Sequence, residues 1–204
     1  MERNVYVSPR QRAKRTLELL GLSCHDPYPW QTTSPSESSD ASLAPPEQQT
    51  HKTDARVEVT EAIREWDYGD YEGITSKEIQ ERREKEGIKE KWDIWTDGCP
   101  GGESPTDVTQ RLDALIHEIR LKYHSLILSS STSSASTSPA PAGDVLVVAH
   151  GHILRAFAMR WINEPLTRTS FLMEAGGVGT LSYEHKSLEE PAVLLGGGFV
   201  VGEG

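Results

Sequence analysis

Cysteine is nearly absent from this 204-residue chain, which holds only Cys24 and Cys99. Two cysteines are too few for a disulfide scaffold and do not carry metal-ligand spacing, so a reducing, cytoplasmic setting is expected. Basic residues are also scarce: 21 Lys and Arg stand against 31 Asp and Glu, giving a formal net charge of -10. That balance argues against nucleic acid and anionic membrane surfaces as partners. No apolar run approaches the ~20 residues of a membrane-spanning helix. The opening stretch MERNVYVSPRQRAKRT lacks the apolar core of a secretory signal. An anionic ligand must therefore be captured by a few well-placed groups rather than by a general field.

What is present reads as alternating strands and helices, hence an α/β class. The length suits one domain, expected over residues 1–204. NVYVS has strand-like alternation, and SPRQRAKRTLELLG follows with helix signals: Ser8 and Gln11 as a capping box, Pro9 in the first turn, and Gly21 as a stop. Ala13, Thr16, Leu17 and Leu20 would share its inner face. RVEVTEAI is a short strand, residues 76–91 a charged helical stretch, and WDIWTDGCPGGES a loop. The clearest helix starts at SPTD, with Ser104 as cap and Val108, Leu112, Leu115, Ile116, Ile119 and Tyr123 as its buried stripe. VLVVA reads as a fully buried parallel strand, followed by a helix near ILRAFAMRWI. EAGGVGTLSYEH is a glycine-rich turn into a late strand. Two polar, Ser- and Pro-rich stretches, about 25–55 and 129–143, read as low-complexity insertions.

In an open α/β sheet, ligands bind beyond the carboxyl ends of the strands, where helix N-termini present free N–H groups. His150 follows VLVVA there, and Arg12 sits in the first turn after NVYVS. Together they would make an oxyanion pocket suited to phosphate, with Arg as a rigid fork of donors. Alone, such an arginine reads as a solvated charge and such a histidine as a structural residue. The pair His150 and His152 lacks a nearby Cys or acidic ligand pattern, so no metal and no cofactor are assigned. REWDYGDYEG reads by itself as an aromatic, charged loop. Breaking the P–O bond to a sugar alcohol nevertheless needs a proton donor, and a carboxyl beside bound phosphate would supply one.

SPRQRAKRT, REWDYGDYEG, WDIWTDGCPGGES, VVAHGHILR and LMEAGGVGTLSYEH, in this order, resemble the histidine phosphatase superfamily with its phosphoglycerate mutase-like fold. The resemblance is strongest to fungal sedoheptulose-1,7-bisphosphatase-type sugar phosphatases. It implies a three-layer sandwich around a mostly parallel central sheet and a phosphohistidine mechanism on a phosphorylated small molecule. By that resemblance Arg12, His150 and Gly151 bind phosphate, Glu65 and His150 are catalytic, and Glu103, Ser104, Gly176 and Gly177 line the substrate rim, with Glu103 and Ser104 alternatively supporting the residues that do. The oligomeric state is left open, with a homo-oligomer allowed.

The family opens with a strand ending in Arg-His-Gly, whose histidine is the nucleophile. No Arg-His-Gly occurs in this chain, and its first strand-helix unit matches the family's second. The expectation is a domain without the family's first strand and helix, inactive as written. Three readings follow: a truncated product of an active sugar phosphatase, a non-catalytic phosphate-binding or scaffolding relative, and an active phosphatase with a substituted nucleophile. The first is favoured, with the second as the alternative.

Overall fold

A computed structural model of the chain describes residues 3–22, 28–30, 55–129, 143–168 and 170–196. The insertions expected at about 25–55 and 129–143 lie almost wholly outside these residues. Three short strands form a parallel sheet in the order β2-β1-β3: β1 (Arg3–Val7), β2 (Ala55–Val59) and β3 (Val145–Val148). In register, Val5 faces Val57 and Leu146, while Val7 faces Val59 and Val148.

The two-residue period of β1 sorts its side chains into two cores. Val5 and Val7 pack with Ala13 and Leu17 of helix α1 (Gln11–Leu19), and Val57, Val59 and Leu146 join them. On the other face, Tyr6 packs with the larger cluster built on helices α4 (Pro105–Ile119) and α6 (Gly151–Trp161). The sheet is thus the middle of three layers, as the resemblance implied. Between β2 and α4 lie α2 (Ser76–Lys85) and α3 (Ile94–Asp97). Helix α5 (Ser125–Ser129) precedes β3, and a separate antiparallel pair, β4 (Thr180–Tyr183) with β5 (Pro191–Leu194), closes the described chain. No helix among the described residues is long and apolar enough to cross a membrane.

Several local expectations change. Helix α1 begins at Gln11 with Arg10 as an uncapped N-cap, so the Ser8 and Gln11 capping box does not form. The Ser8 hydroxyl is bonded instead to His150 across the sheet. WDIWTDG is not wholly a loop, because the Asp93 carboxylate accepts from Trp95 N and nucleates α3. In β3 only Val148 is fully buried. The reason is that β3 pairs with β1 alone among the described strands. The long helix keeps its predicted cap, with Ser104 and Asp107 in a capping box, and its buried stripe from Val108 to Ile119, while Tyr123 lies beyond its end and is only half-buried. It then passes through a π-helical stretch, Arg120–His124, before α5. The wider turn delivers the Tyr123 hydroxyl to Tyr6 and sets the His124 ring between the Tyr183 hydroxyl and the Gly143 carbonyl. Strand β5 carried no sequence expectation, being a four-residue run that opens on proline.

Candidate active site

Four polar or charged side chains are buried among the described residues: Ser8, Glu65, Glu103 and His150. Two of them, Ser8 and His150, lie where a strand ends and a helix begins. Ser8 follows β1, and its N–H donates to the Val148 carbonyl at 3.0 Å, tying the ends of β1 and β3 together. His150, the N-cap of α6, follows β3 by two residues.

A short chain of hydrogen bonds defines this end of the sheet. Arg12 Nε donates to His150 Nδ1 at 2.8 Å, and His150 Nε2 lies 2.7 Å from Ser8 Oγ. An arginine Nε can only donate, so Nδ1 must be the acceptor. The imidazole proton therefore sits on Nε2 and is donated to Ser8 Oγ. Burial, the Arg12 charge and the Arg10 charge push the His150 pKa down to about 4. The ring is thus a neutral donor at ordinary pH. This tautomer cannot take a proton from Ser8, so Ser8 and His150 do not form an activated serine-histidine dyad. Beyond the ring, the N–H groups of Gly151 and His152 in the first turn of α6 have no protein partner among the described residues, as helix N-termini leave them. Gly151 is exposed, and an added Cβ would meet only the Met173 carbonyl oxygen, at 4.0 Å.

Glu65 approaches from the loop after β2. Its Oε1 accepts from Trp66 N at 3.0 Å and from Ile153 N, in the first turn of α6, at 3.2 Å. Two backbone donors pin one oxygen, and Oε2 has no partner among the described residues. The carboxyl therefore presents one unspent oxygen beside the helix that carries His150.

Glu103 and Ser104 take part in the support of that loop. Glu103 accepts from Arg111 Nε at 2.8 Å, from Arg111 Nη2 at 3.0 Å and from Asp67 N at 3.0 Å, and it pairs with Arg64 at 3.1 Å. Its carbonyl accepts from the Trp66 indole at 3.0 Å. Ser104 caps α4. These bonds brace the residues next to Glu65, the supporting alternative that the resemblance left open for Glu103 and a job the sequence did not signal for Arg111. Gly176 and Gly177 lie in an exposed turn. Gly176 has φ +75, and a Cβ on Gly177 would stand 2.9 Å from the Glu174 carbonyl oxygen, so both answer to the turn itself.

The sequence paired Arg12 with His150 at the strand ends and the resemblance added Glu65; the structure sets all three beside the N-terminus of α6, and the sequence reading missed Ser8, which was read only as a cap. The signal was available, since Ser8 stands at the end of β1 much as His150 stands at the end of β3.

The depressed His150 value has a measurable consequence. His124 and His152 are lowered too, each chiefly by burial. Because the folded values lie below the ordinary 6.5, the unfolded chain binds more protons in acid. The stability these rings contribute is complete above about pH 6.5 and is lost as pH falls toward 4. Urea unfolding should give a lower midpoint at pH 5 than at pH 7, and the His150 ring should titrate near 4 by NMR. A His150 midpoint near 6.5 would contradict the arrangement of Arg12 and His150 described above.

Comparison with known proteins agrees with the fold and with the family that the sequence resembles. Residues 47–191 match the profile of the histidine phosphatase superfamily (branch 1). The chain is similar to a sedoheptulose 1,7-bisphosphatase of Saccharomyces cerevisiae, with 30% identity over 231 residues that cover 96% of this chain and 73% of that protein. It is also similar to an acid phosphatase of Mycobacterium tuberculosis, at 37% identity over 138 residues, or 67% of this chain and 56% of that one. The solved structure of the Mycobacterium tuberculosis open reading frame Rv3214 superposes with a TM-score of 0.59 at 28% identity, covering 95% of this chain and 70% of the other.

Proposed function

We propose that this chain, which belongs to the histidine phosphatase superfamily, binds the phosphoryl group of a sugar phosphate at the Ser8, Arg12 and His150 end of its sheet, with Glu65 as the acid for the leaving alkoxide. The observation that carries the reading is the bonded chain from Arg12 through His150 to Ser8, set beside a carboxyl with one unspent oxygen. The Arg12 Nη groups and the N–H groups in the first turn of α6 are donors without a competing acceptor among the described residues, and His150, neutral and bonded to both Arg12 and Ser8, holds them in place, which suits the equatorial oxygens of a phosphoryl group. Glu65 lies against the same helix turn, where a leaving oxygen needs its proton. The similarity to the yeast sugar bisphosphatase favours a sugar bisphosphate of the sedoheptulose-1,7-bisphosphate kind.

Covalent catalysis in this family needs a histidine nitrogen free to attack phosphorus. His150 carries its proton on Nε2 and serves as a donor, and no histidine of the chain stands in an Arg-His-Gly. On its own the chain therefore acts as a phosphate-binding domain, which also fits the alternative of a non-catalytic relative. The test is phosphate release over a panel of sugar bisphosphates, combined with calorimetric binding of inorganic phosphate. Binding without release is expected. Release that disappears when one of the seven histidines is replaced would overturn the assignment of inactivity and identify a nucleophile. Absence of phosphate binding would overturn the pocket.

A further inference from the structure

Strand β2 has one open edge, and the direction of its backbone groups there is fixed by a single bond. Thr60 N donates to the Val7 carbonyl at 3.0 Å, and the alternation of a parallel ladder then turns the backbone groups of Arg56, Glu58 and Thr60 toward β1. The N–H and C=O groups of Ala55, Val57 and Val59 point the other way, where β2 has no neighbour among the described strands. No proline, glycine or bulge interrupts Ala55–Val59, so the whole edge can pair. Arg56 is exposed and has no ion pair among the described residues. Glu58, on the same face of the strand, meets only the Lys122 ammonium among them, at 3.9 Å.

This edge is complementary to itself. We propose that β2 pairs antiparallel with β2 of a second copy of this chain, about a two-fold axis at Val57, joining the two three-stranded sheets into one. On that axis Val57 exchanges both backbone bonds with its own counterpart, and Ala55 exchanges both with Val59 of the other copy. Arg56 of each copy then stands opposite Glu58 of the other, in the non-bonded type of pair where Cα atoms approach to about 4.5 Å and side chains are closest. The two-fold axis repeats every contact, so the assembly closes at two chains.

Charge selects both the register and the partner. An axis at Glu58 would set two carboxylates opposite each other and present backbone groups already bonded to β1. An axis at Val59 would set Glu58 against Thr60 and Arg56 against Ala62, which leaves both charges unpaired. Only the axis at Val57 matches each arginine with a carboxylate. On the other face of the strand, Ala55, Val57 and Val59 are half-buried against the core of Val5, Val7 and Leu17, and the second copy extends that core across the axis. Ser8, Arg12, Glu65 and His150 all come from one chain, so each copy keeps its own site and the inference does not depend on what that site binds.

The test is the mass of the full chain by sedimentation over a concentration series. The mass should rise from the 22.6 kDa of one chain toward twice that value as the concentration reaches ~100 μM. Arg56→Glu sets like charges opposite each other and should raise the dissociation constant about tenfold, and Glu58→Arg should do the same. Glu58→Arg also lowers the net negative charge of the chain, so general repulsion between copies predicts the opposite change. Combining the two substitutions restores opposite charges across the axis and should return the affinity to within about twofold of the unmodified chain. On the unmodified chain, hydrogen exchange at the Val57 and Val59 amides should slow as the concentration rises, while the open edge of β3 stays unchanged. A monomer throughout the series overturns the proposal. So does a dimer that the two single substitutions leave unweakened, or one that protects β3 instead of β2.

Discussion

Gly69→Ala should destabilise the domain by more than about 4 kcal/mol, in the range that single substitutions reach only through a named steric or electrostatic fault. Gly69 has φ +49, and a Cβ built there would lie 2.2 Å from Gly102 N, 2.3 Å from the Pro100 carbonyl oxygen and 2.4 Å from Gly101 C. All three are backbone atoms, so no side chain can swing aside. The two loops are tied at this point: Asp70 N donates to the Pro100 carbonyl at 2.8 Å and Glu103 N to the Asp67 carbonyl at 2.9 Å. Pushing them apart also loosens the Glu103 brace beside Glu65. For a domain of this size such a loss corresponds to a melting temperature lower by roughly 8–16 °C. Gly73→Ala is the control, because Gly73 has φ +75 but nothing within 4 Å of the added Cβ. It should cost only the left-handed backbone strain, about 1–2 kcal/mol. Thermal melts of the two variants decide the matter, and equal shifts would show that the loops do not meet as closely as described.

Arg12→Leu should weaken binding of inorganic phosphate by about 10- to 100-fold, since a hydrogen bond to a charged partner contributes ~1.5–3 kcal/mol. The same change removes the donor to His150 Nδ1 and the second-largest cause of that ring's low pKa. His150 should then titrate higher than about 4 but below its ordinary 6.5, because burial, the first cause, remains. The two readouts belong together. Calorimetry follows the pocket's donors, and NMR titration follows the tautomer that makes His150 a donor. Arg12→Lys should restore the charge without the planar fork, leaving phosphate binding intermediate. An unchanged phosphate affinity would remove Arg12 from the pocket, and an unmoved His150 would show that burial alone sets its state.

These two predictions draw on different parts of what the sequence made readable. The Arg12 pair was accessible because strand ends can be read locally: β-branched runs in NVYVS and VLVVA stop where a helix begins, and ligand groups collect there in parallel sheets. The Gly69 clasp was not, since REWDYGDYEG and DGCPGGES are separated in sequence by α2 and α3, and only their packing shows that Gly69 and Gly102 face backbone. Glu103 illustrates the same limit. A carboxylate in GGES is an equally good rim residue or brace until Arg111, eight residues on, is seen to fold back onto it with both Nε and Nη2.

The amino-acid sequence alone determined the α/β alternation, the absence of a basic surface and of any membrane-length apolar run, the capped helix starting at Ser104, and the polar residues at the ends of β1 and β3. Each is set by short-range periodicity, composition or turn chemistry, which depend on neighbours a few residues apart. Tertiary structure decided which of two local uses a side chain serves. Ser8 gives up its helix cap for His150, 142 residues away. Arg12 donates to a ring 138 residues distant and so fixes its tautomer. β3 is half-exposed because one flank has a strand and the other, among the described residues, does not. A hydroxyl or guanidinium can satisfy its hydrogen bonds locally or across the fold. The choice falls to whichever partner is buried and otherwise unpaired, and burial is a property of the whole chain.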